Sequence, residues 1–248
     1  MVGSGLVGRD QLELENPEKF SNNGIVIVRE ALDQEEVTIV RKLGYKEILR
    51  QGDVRQIMPR HVLAEPELRL LPFKKRIVEA LRISLGNSLA YIPDLTLHCN
   101  QFGFPGWHTD SGSEHDKGYI QSSGYKFVKC GIYLQNNTQE WGGGIMVVPG
   151  GHKFPILTPS RTFNRKVKSF LNRMQTKSKN IAVDIRAGDM VYFDSRSPHT
   201  STFPSNIRKP TEEGTYHYTK EEIPEEHSKL VLYWDACNEE MVNDFITN

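Results

Sequence analysis

The sequence predicts a mainly β fold, a sandwich or barrel with helices on its flank. From Tyr91 onward, short apolar runs are broken repeatedly by Gly, Pro and Asn, the texture of many short strands joined by turns. Before that point two stretches repeat their apolar residues at helical spacing, and 248 residues suit one such domain. Hydrophobic residues make up 38% and charged residues 25%, a globular balance rather than that of a disordered chain.

Taken in order, residues 1–12 are Gly-rich and weakly patterned and read as a loose tail, with 13–248 as a single domain. The turn signal Ser21-Asn22-Asn23-Gly24 opens a β-branched strand, Ile25 to Val28. Asp33 with Glu36 forms the signature of a capping box, and Val37, Val40 and Leu43 follow at helical spacing, which predicts a helix over 33–50. Phe73, Ile77, Leu81 and Leu85 predict a second helix over 73–86, stopped by Gly86-Asn87. Strands are expected at 92–99, 127–134, 144–148, 181–185, 190–193 and 230–234. Between them Phe163, Val167, Phe170, Leu171 and Met174 predict an amphipathic helix over 161–177.

Thirty-one Lys and Arg balance thirty-one Asp and Glu, which argues against a protein that coats nucleic acid or anionic lipid. Cys99, Cys130 and Cys237 form neither a CxxC pair nor an even disulfide framework, so a reduced, cytoplasmic protein without a structural zinc site is expected. No apolar run nears the roughly 18 residues needed to cross a bilayer, and the first residues lack the features of a signal peptide. Neutrality hides two biased segments: 161–180 holds seven Lys or Arg and no acid, and 210–227 holds six Glu against one Lys. Both fit solvated faces; the basic one also fits steering of an anionic or carrier-bound small-molecule substrate. The oligomeric state is left open.

The chemistry concentrates in Trp107-His108-Thr109-Asp110 and Ser197-Pro198-His199. On a strand, residues i and i+2 project from one face about 6.8 Å apart, so His108 and Asp110 can enter one cavity while Thr109 points away. His-x-Asp alone is commonly a surface hydrogen-bonded pair. A later His delivered by another strand changes its meaning, because two imidazoles and one carboxylate on one face leave open positions suited to non-haem Fe(II). His199 follows the strand-like run Gly188 to Phe193 and meets that need.

At these residues the sequence resembles the phytanoyl-CoA dioxygenase family of Fe(II)/2-oxoglutarate oxygenases, over about residues 20–236. The resemblance rests on Asn23 to Val28, on His108-Thr109-Asp110, on the run Trp141 to Lys153 with its Val148-Pro149-Gly150-Gly151-His152-Lys153 turn, and on His199. It implies a double-stranded β-helix, the jelly-roll or cupin-like barrel, with iron held by His108, Asp110 and His199. It further implies that 2-oxoglutarate and O2 are consumed as co-substrates, yielding succinate and CO2. The keto acid's far carboxylate then needs a cation. Family spacing offers Arg208, nine residues past His199, whereas strand position offers Lys229, just before the run Leu230 to Trp234. Ser201 matches a serine two residues beyond the family's distal His, and Asn100, like His98, lies where a side chain can touch the co-substrate. His152 is expected to be structural.

The leading expectation is a dioxygenase that hydroxylates an unactivated C–H bond of a small-molecule metabolite. Asp110 is a carboxylate, so the halide-accepting arrangement of related halogenases is closed to this chain. Two alternatives keep the barrel: a zinc- or manganese-dependent hydrolase or isomerase, and a non-catalytic binding barrel. Glycines 142–144 read as a tight turn rather than a phosphate cradle, since no Gly-Lys-Ser/Thr follows.

Overall fold

Strand alternation sets up two cores in this chain, one against helices and one between sheets. The computed structural model describes residues 17–52, 56–99, 101–102, 107–110, 124–153, 180–205, 216–217 and 222–242. The tail, the expected helix 161–177, Asn100 and Arg208 lie outside the described residues.

In chain order the elements are α1 (Pro17–Asn23), β1 (Ile25–Val28), α2 (Gln34–Arg50), β2 (Gln56–Ile57), α3 (Pro59–Val62), α4 (Pro66–Arg69), α5 (Lys75–Leu85), β3 (Leu89–Cys99) and β4 (Gln101–Phe102). They continue with β5 (Phe127–Tyr133), β6 (Ile145–Val147), β7 (Ile181–Ala182), β8 (Met190–Asp194), β9 (His199–Ser201), β10 (Tyr216–His217) and β11 (Leu230–Asn238). A six-stranded antiparallel sheet runs β1-β8-β5-β11-β3-β2, a three-stranded one β7-β6-β9, and β10 pairs with β4.

Along the large sheet every second residue faces the helices. Val128, Cys130 and Ile132 of β5, Leu230, Leu232 and Trp234 of β11, and Leu95 and Leu97 of β3 pack there against Val37, Val40 and Ile48 of α2 and Ile77, Leu81 and Leu85 of α5. Each fully buried Leu or Ile contributes roughly 1.5–3 kcal/mol, which makes this layer the main stabilising mass. The opposite face closes on the small sheet: Ile25, Ile27, Tyr133, Val191, Phe193 and Val231 meet Ile145, Val147, Val183 and Ile185. Two facing antiparallel sheets with helices on one flank are the mainly β, jelly-roll architecture expected.

Local chemistry explains where elements begin and end. Asp33 caps α2 by accepting from the Glu36 amide at 2.8 Å, and Glu36 accepts in return from the Asp33 amide at 3.0 Å. The Ser21–Gly24 turn signal proves to be the end of a short helix, α1, with Gly24 at φ +68° donating to Phe20 O at 2.7 Å. A Cβ at Gly24 would lie 2.2 Å from His152 Nδ1, so the His152 turn packs directly on this glycine. His152 Nε2 donates to Ser21 O at 3.2 Å, which ties two distant segments together.

Three expectations need correction. The run 181–185 stays in the ladder only over Ile181–Ala182, because the Asp184 carbonyl accepts from Arg29 at 2.8 Å and the Ile185 carbonyl from Asn137 N at 3.0 Å. The strand begun at Leu230 continues to Asn238, past the expected end at Trp234. The helix placed over 73–86 starts at Lys75, since Leu71–Phe73 forms a separate 3-10 turn.

Candidate metal centre

A pair of backbone hydrogen bonds brings the two halves of the site together. His108 N donates to His199 O at 3.0 Å and His199 N to His108 O at 2.9 Å, an isolated antiparallel bridge that sets the two imidazoles side by side, ring centres 4.2 Å apart. His199 Nδ1 lies 3.0 Å from Ser197 O. A carbonyl only accepts, so Nδ1 carries the proton and Nε2 is left with its lone pair free for a cation. Phe193 of β8 packs against the same ring at 4.5 Å, which holds its orientation.

Asp110 completes the set. Its Oδ1 is 3.9 Å from His108 Nε2 and 3.8 Å from His199 Nε2, and the donor atoms of the three residues all lie within 4.8 Å of one another. They are too far apart to hydrogen-bond and close enough to share one ion. An octahedral face built on bonds of about 2.1 Å has edges of about 3 Å, so the donors need to draw in by about 1–2 Å. Two imidazoles and one carboxylate therefore fit a single Fe(II).

The triad opens into a cavity of about 450 Å³. At one end stands Lys229, buried at 4% exposure, with burial pushing its ammonium down to about 8. Ser201, Thr200, Gly144 and Ile145 border the same space from the small sheet. Tyr133 and Tyr233 hydrogen-bond each other at its floor; burial pushes the Tyr233 hydroxyl up to about 12, so it stays protonated. His98 lines the wall. Trp141 instead stacks on His227, ring centres 4.6 Å apart. The structure thus brings together His108, Asp110, His199, Ser201 and Lys229 of the expected residues, while Arg208 and Asn100 lie outside the described ones.

Asp94, Thr96 and Lys129 also line the cavity, and sequence reading did not single them out. Their signal was present: Lys129 interrupts the apolar run Phe127-Val128-Lys129-Cys130 and faces inward by alternation. Lys129 Nζ lies 2.7 Å from Asp235 Oδ2 and 3.4 Å from Asp94 Oδ2. Burial works against its charge, but Asp235, Asp94 and Asp110 together hold it above the usual lysine range.

The phytanoyl-CoA dioxygenase family model matches residues 20–203. No curated protein matches the sequence significantly. Among solved structures, the non-heme alpha ketoglutarate dependent carbocyclase SnoK from nogalamycin biosynthesis superposes with a TM-score of 0.63 at 16% identity, covering 94% of this chain and 86% of that one. EctD from S. alaskensis with bound Fe gives 0.62 at 15% identity, covering 92% and 81%. The epimerase SnoN in complex with Fe3+, alpha ketoglutarate and nogalamycin RO gives 0.60 at 16% identity, covering 88% and 80%. Such distant likenesses speak to the fold. Among the described residues no helix is long and apolar enough to cross a membrane.

Proposed function

The chain belongs to the phytanoyl-CoA dioxygenase family, one of non-haem iron, 2-oxoglutarate-dependent enzymes, and from that premise we propose that it hydroxylates an unactivated C–H bond of a small-molecule metabolite. His108, Asp110 and His199 would hold Fe(II), which with O2 and 2-oxoglutarate supplies the oxidising chemistry and leaves succinate and CO2. The observation that carries this reading is the convergence of three donor atoms within 4.8 Å at the mouth of a cavity that also holds a buried lysine.

Each residue has a definite task. Lys229 takes the far carboxylate of the keto acid, a role for which the strand position of this cation supports it over Arg208. An ammonium pushed down to about 8 regains its ordinary affinity for a proton once a carboxylate sits beside it. Ser201 offers a hydroxyl on the same side of the cavity, and the Tyr133–Tyr233 pair presents protonated hydroxyls rather than competing anions. Ser197 O fixes the His199 tautomer, and Phe193 and Ile145 give the cavity an apolar border. A hydrolytic zinc site needs no buried cation beside it, so Lys229 favours the oxygenase reading over the hydrolase one.

Anaerobic addition of Fe(II) and then 2-oxoglutarate tests the proposal through the weak visible charge-transfer band of the chelate. A band that appears only with both, followed by succinate release on admitting O2, is the expected result. Saturating Fe(II) and keto acid without a band would overturn it.

A further inference from the structure

The cavity has a second pole. On its wall β11 and β3 lose register: Tyr233 pairs with Thr96, but Asp235 pairs with Ile92, so two steps on β11 span four on β3. The surplus falls at Pro93-Asp94, where proline has no amide to give the ladder. At the bulge the Asp94 carboxylate stands in for a β3 carbonyl, its Oδ1 accepting from the Asp235 amide at 2.9 Å. A bulge of this kind re-aims a side chain, and the one re-aimed here lines the cavity.

Three ionisable groups meet at this pole: burial and the neighbouring Asp94 push the Asp235 carboxyl well up, while Lys129 beside it works the other way. One ammonium, Lys129, faces two carboxylates and lies closer to Asp235, at 2.7 Å, than to Asp94, at 3.4 Å. The Asp235 side chain is 14% exposed and its Oδ1 has no partner among the described residues; Asp94 is 37% exposed and open to the cavity. An anion approaching Lys129 would meet both carboxylates beside it, and a long alkyl chain laid on this wall would strip water from charges without replacing it. A cation gains the Asp94 carboxylate, which Lys129, drawn toward Asp235, meets only at 3.4 Å. Lys229, just before β11, lies six residues from Asp235, about 20 Å at roughly 3.3 Å per residue, so Lys229 and the Asp94 carboxylate stand at opposite ends of the cavity. Asp110 acts electrostatically on both Lys129 and Tyr233, which sets the metal centre beside the Asp94 end.

We propose that Asp94 receives a positively charged nitrogen of the substrate, and that the compound oxidised is a small cationic or zwitterionic metabolite rather than an anionic or long-chain acyl one. This rests on the oxygenase reading for the reaction but not for the charge preference.

Three probes of one shape test it: cyclohexylmethylamine, cyclohexylmethanol and cyclohexanecarboxylate, with affinities measured by ligand-observed NMR on protein with and without Fe(II) and 2-oxoglutarate. The amine is expected to bind roughly five- to tenfold more tightly than the alcohol, the gain of one partly exposed charge-assisted contact. Asp94→Asn should erase that preference and Asp94→Glu should retain it, which separates lost charge from lost fold. The charge-transfer band reports iron and keto-acid loading separately, so failure of the oxygenase reading is visible on its own. Equal or tighter binding of the alcohol or carboxylate, or an amine preference untouched in Asp94→Asn, overturns the proposal.

Discussion

Replacing Lys229 with Met should make the protein more stable and less able to bind its co-substrate. Met matches the length of the lysine stem and removes the charge. Burial pushes the Lys229 ammonium from its ordinary 10.5 down to about 8. Below pH 8 the folded chain therefore carries a proton it holds more weakly than the unfolded chain does, and the fold is destabilised by the difference. At 1.36 kcal/mol per unit, the gap is up to about 3 kcal/mol. For a chain of this size 1 kcal/mol moves Tm by about 2–4 °C, so Lys229→Met should raise Tm at pH 7 by about 6 °C or more. The sign has a pH signature. Between about 8 and 10.5 the unfolded state binds more protons than the native one, so wild-type stability climbs relative to the variant across that window and the gap closes above it. Adding 2-oxoglutarate with Fe(II) should stabilise the wild type and leave the variant nearly unmoved, because a buried carboxylate without its cation costs about 3–5 kcal/mol, a loss of at least a hundredfold in affinity. Calorimetric melts across pH 7–11, with and without the keto acid, read all of this. A variant that melts below the wild type at pH 7, or binds 2-oxoglutarate within threefold of it, refutes the reasoning.

Other expectations follow from the same geometry. Affinity for 2-oxoglutarate should hold steady up to about pH 8 and fall as Lys229 loses its proton above that, a decline visible by isothermal titration and absent in Lys229→Arg. Asp110→Ala and His199→Ala each remove one of three donors and should cut conversion of 2-oxoglutarate to succinate at least a hundredfold; full turnover in either would sink the metal assignment. A Cβ at Gly131 would sit 2.8 Å from the Tyr233 ring, so Gly131→Ala should cost about 1–3 kcal/mol in urea denaturation.

Much of this was legible in the sequence because it depended on short-range rules. The Asp33–Glu36 box, the apolar periodicity of α5 and the β-branched run of β1 each follow from local chemistry, and each appears in the structure. His108 and Asp110 share a cavity, but His108 makes only an isolated bridge and Asp110 lies in a turn, not on the strand that i, i+2 spacing assumes. The placement of His199 beside them does not follow from spacing at all, since it is made by two backbone hydrogen bonds across the chain. The wall of Asp94, Thr96 and Lys129 was harder still. The aim of Asp94 arises from a register shift between β3 and β11, and register belongs to a pair of strands rather than to either sequence. Pro93 inside an apolar strand was a local trace of that shift, as Lys129 inside the apolar run of β5 was of the wall.

The two poles differ in depth as well as sign, and that difference orders events. Lys229 is 4% exposed at the inner end, whereas the Asp94 side chain is 37% exposed toward the opening. With the keto acid held at the first and a substrate nitrogen at the second, a substrate that entered early would stand between 2-oxoglutarate and its anchor. Exchange of the two ligands between poles is opposed by charge, because a dicarboxylate beside Asp94 and Asp235 is repelled and an ammonium beside Lys229 is too. On the proposed assignment of the two poles, the co-substrate is expected to bind before the substrate. A neutral lining would allow either order, so the charges that make this interior costly to fold also impose its sequence of entry.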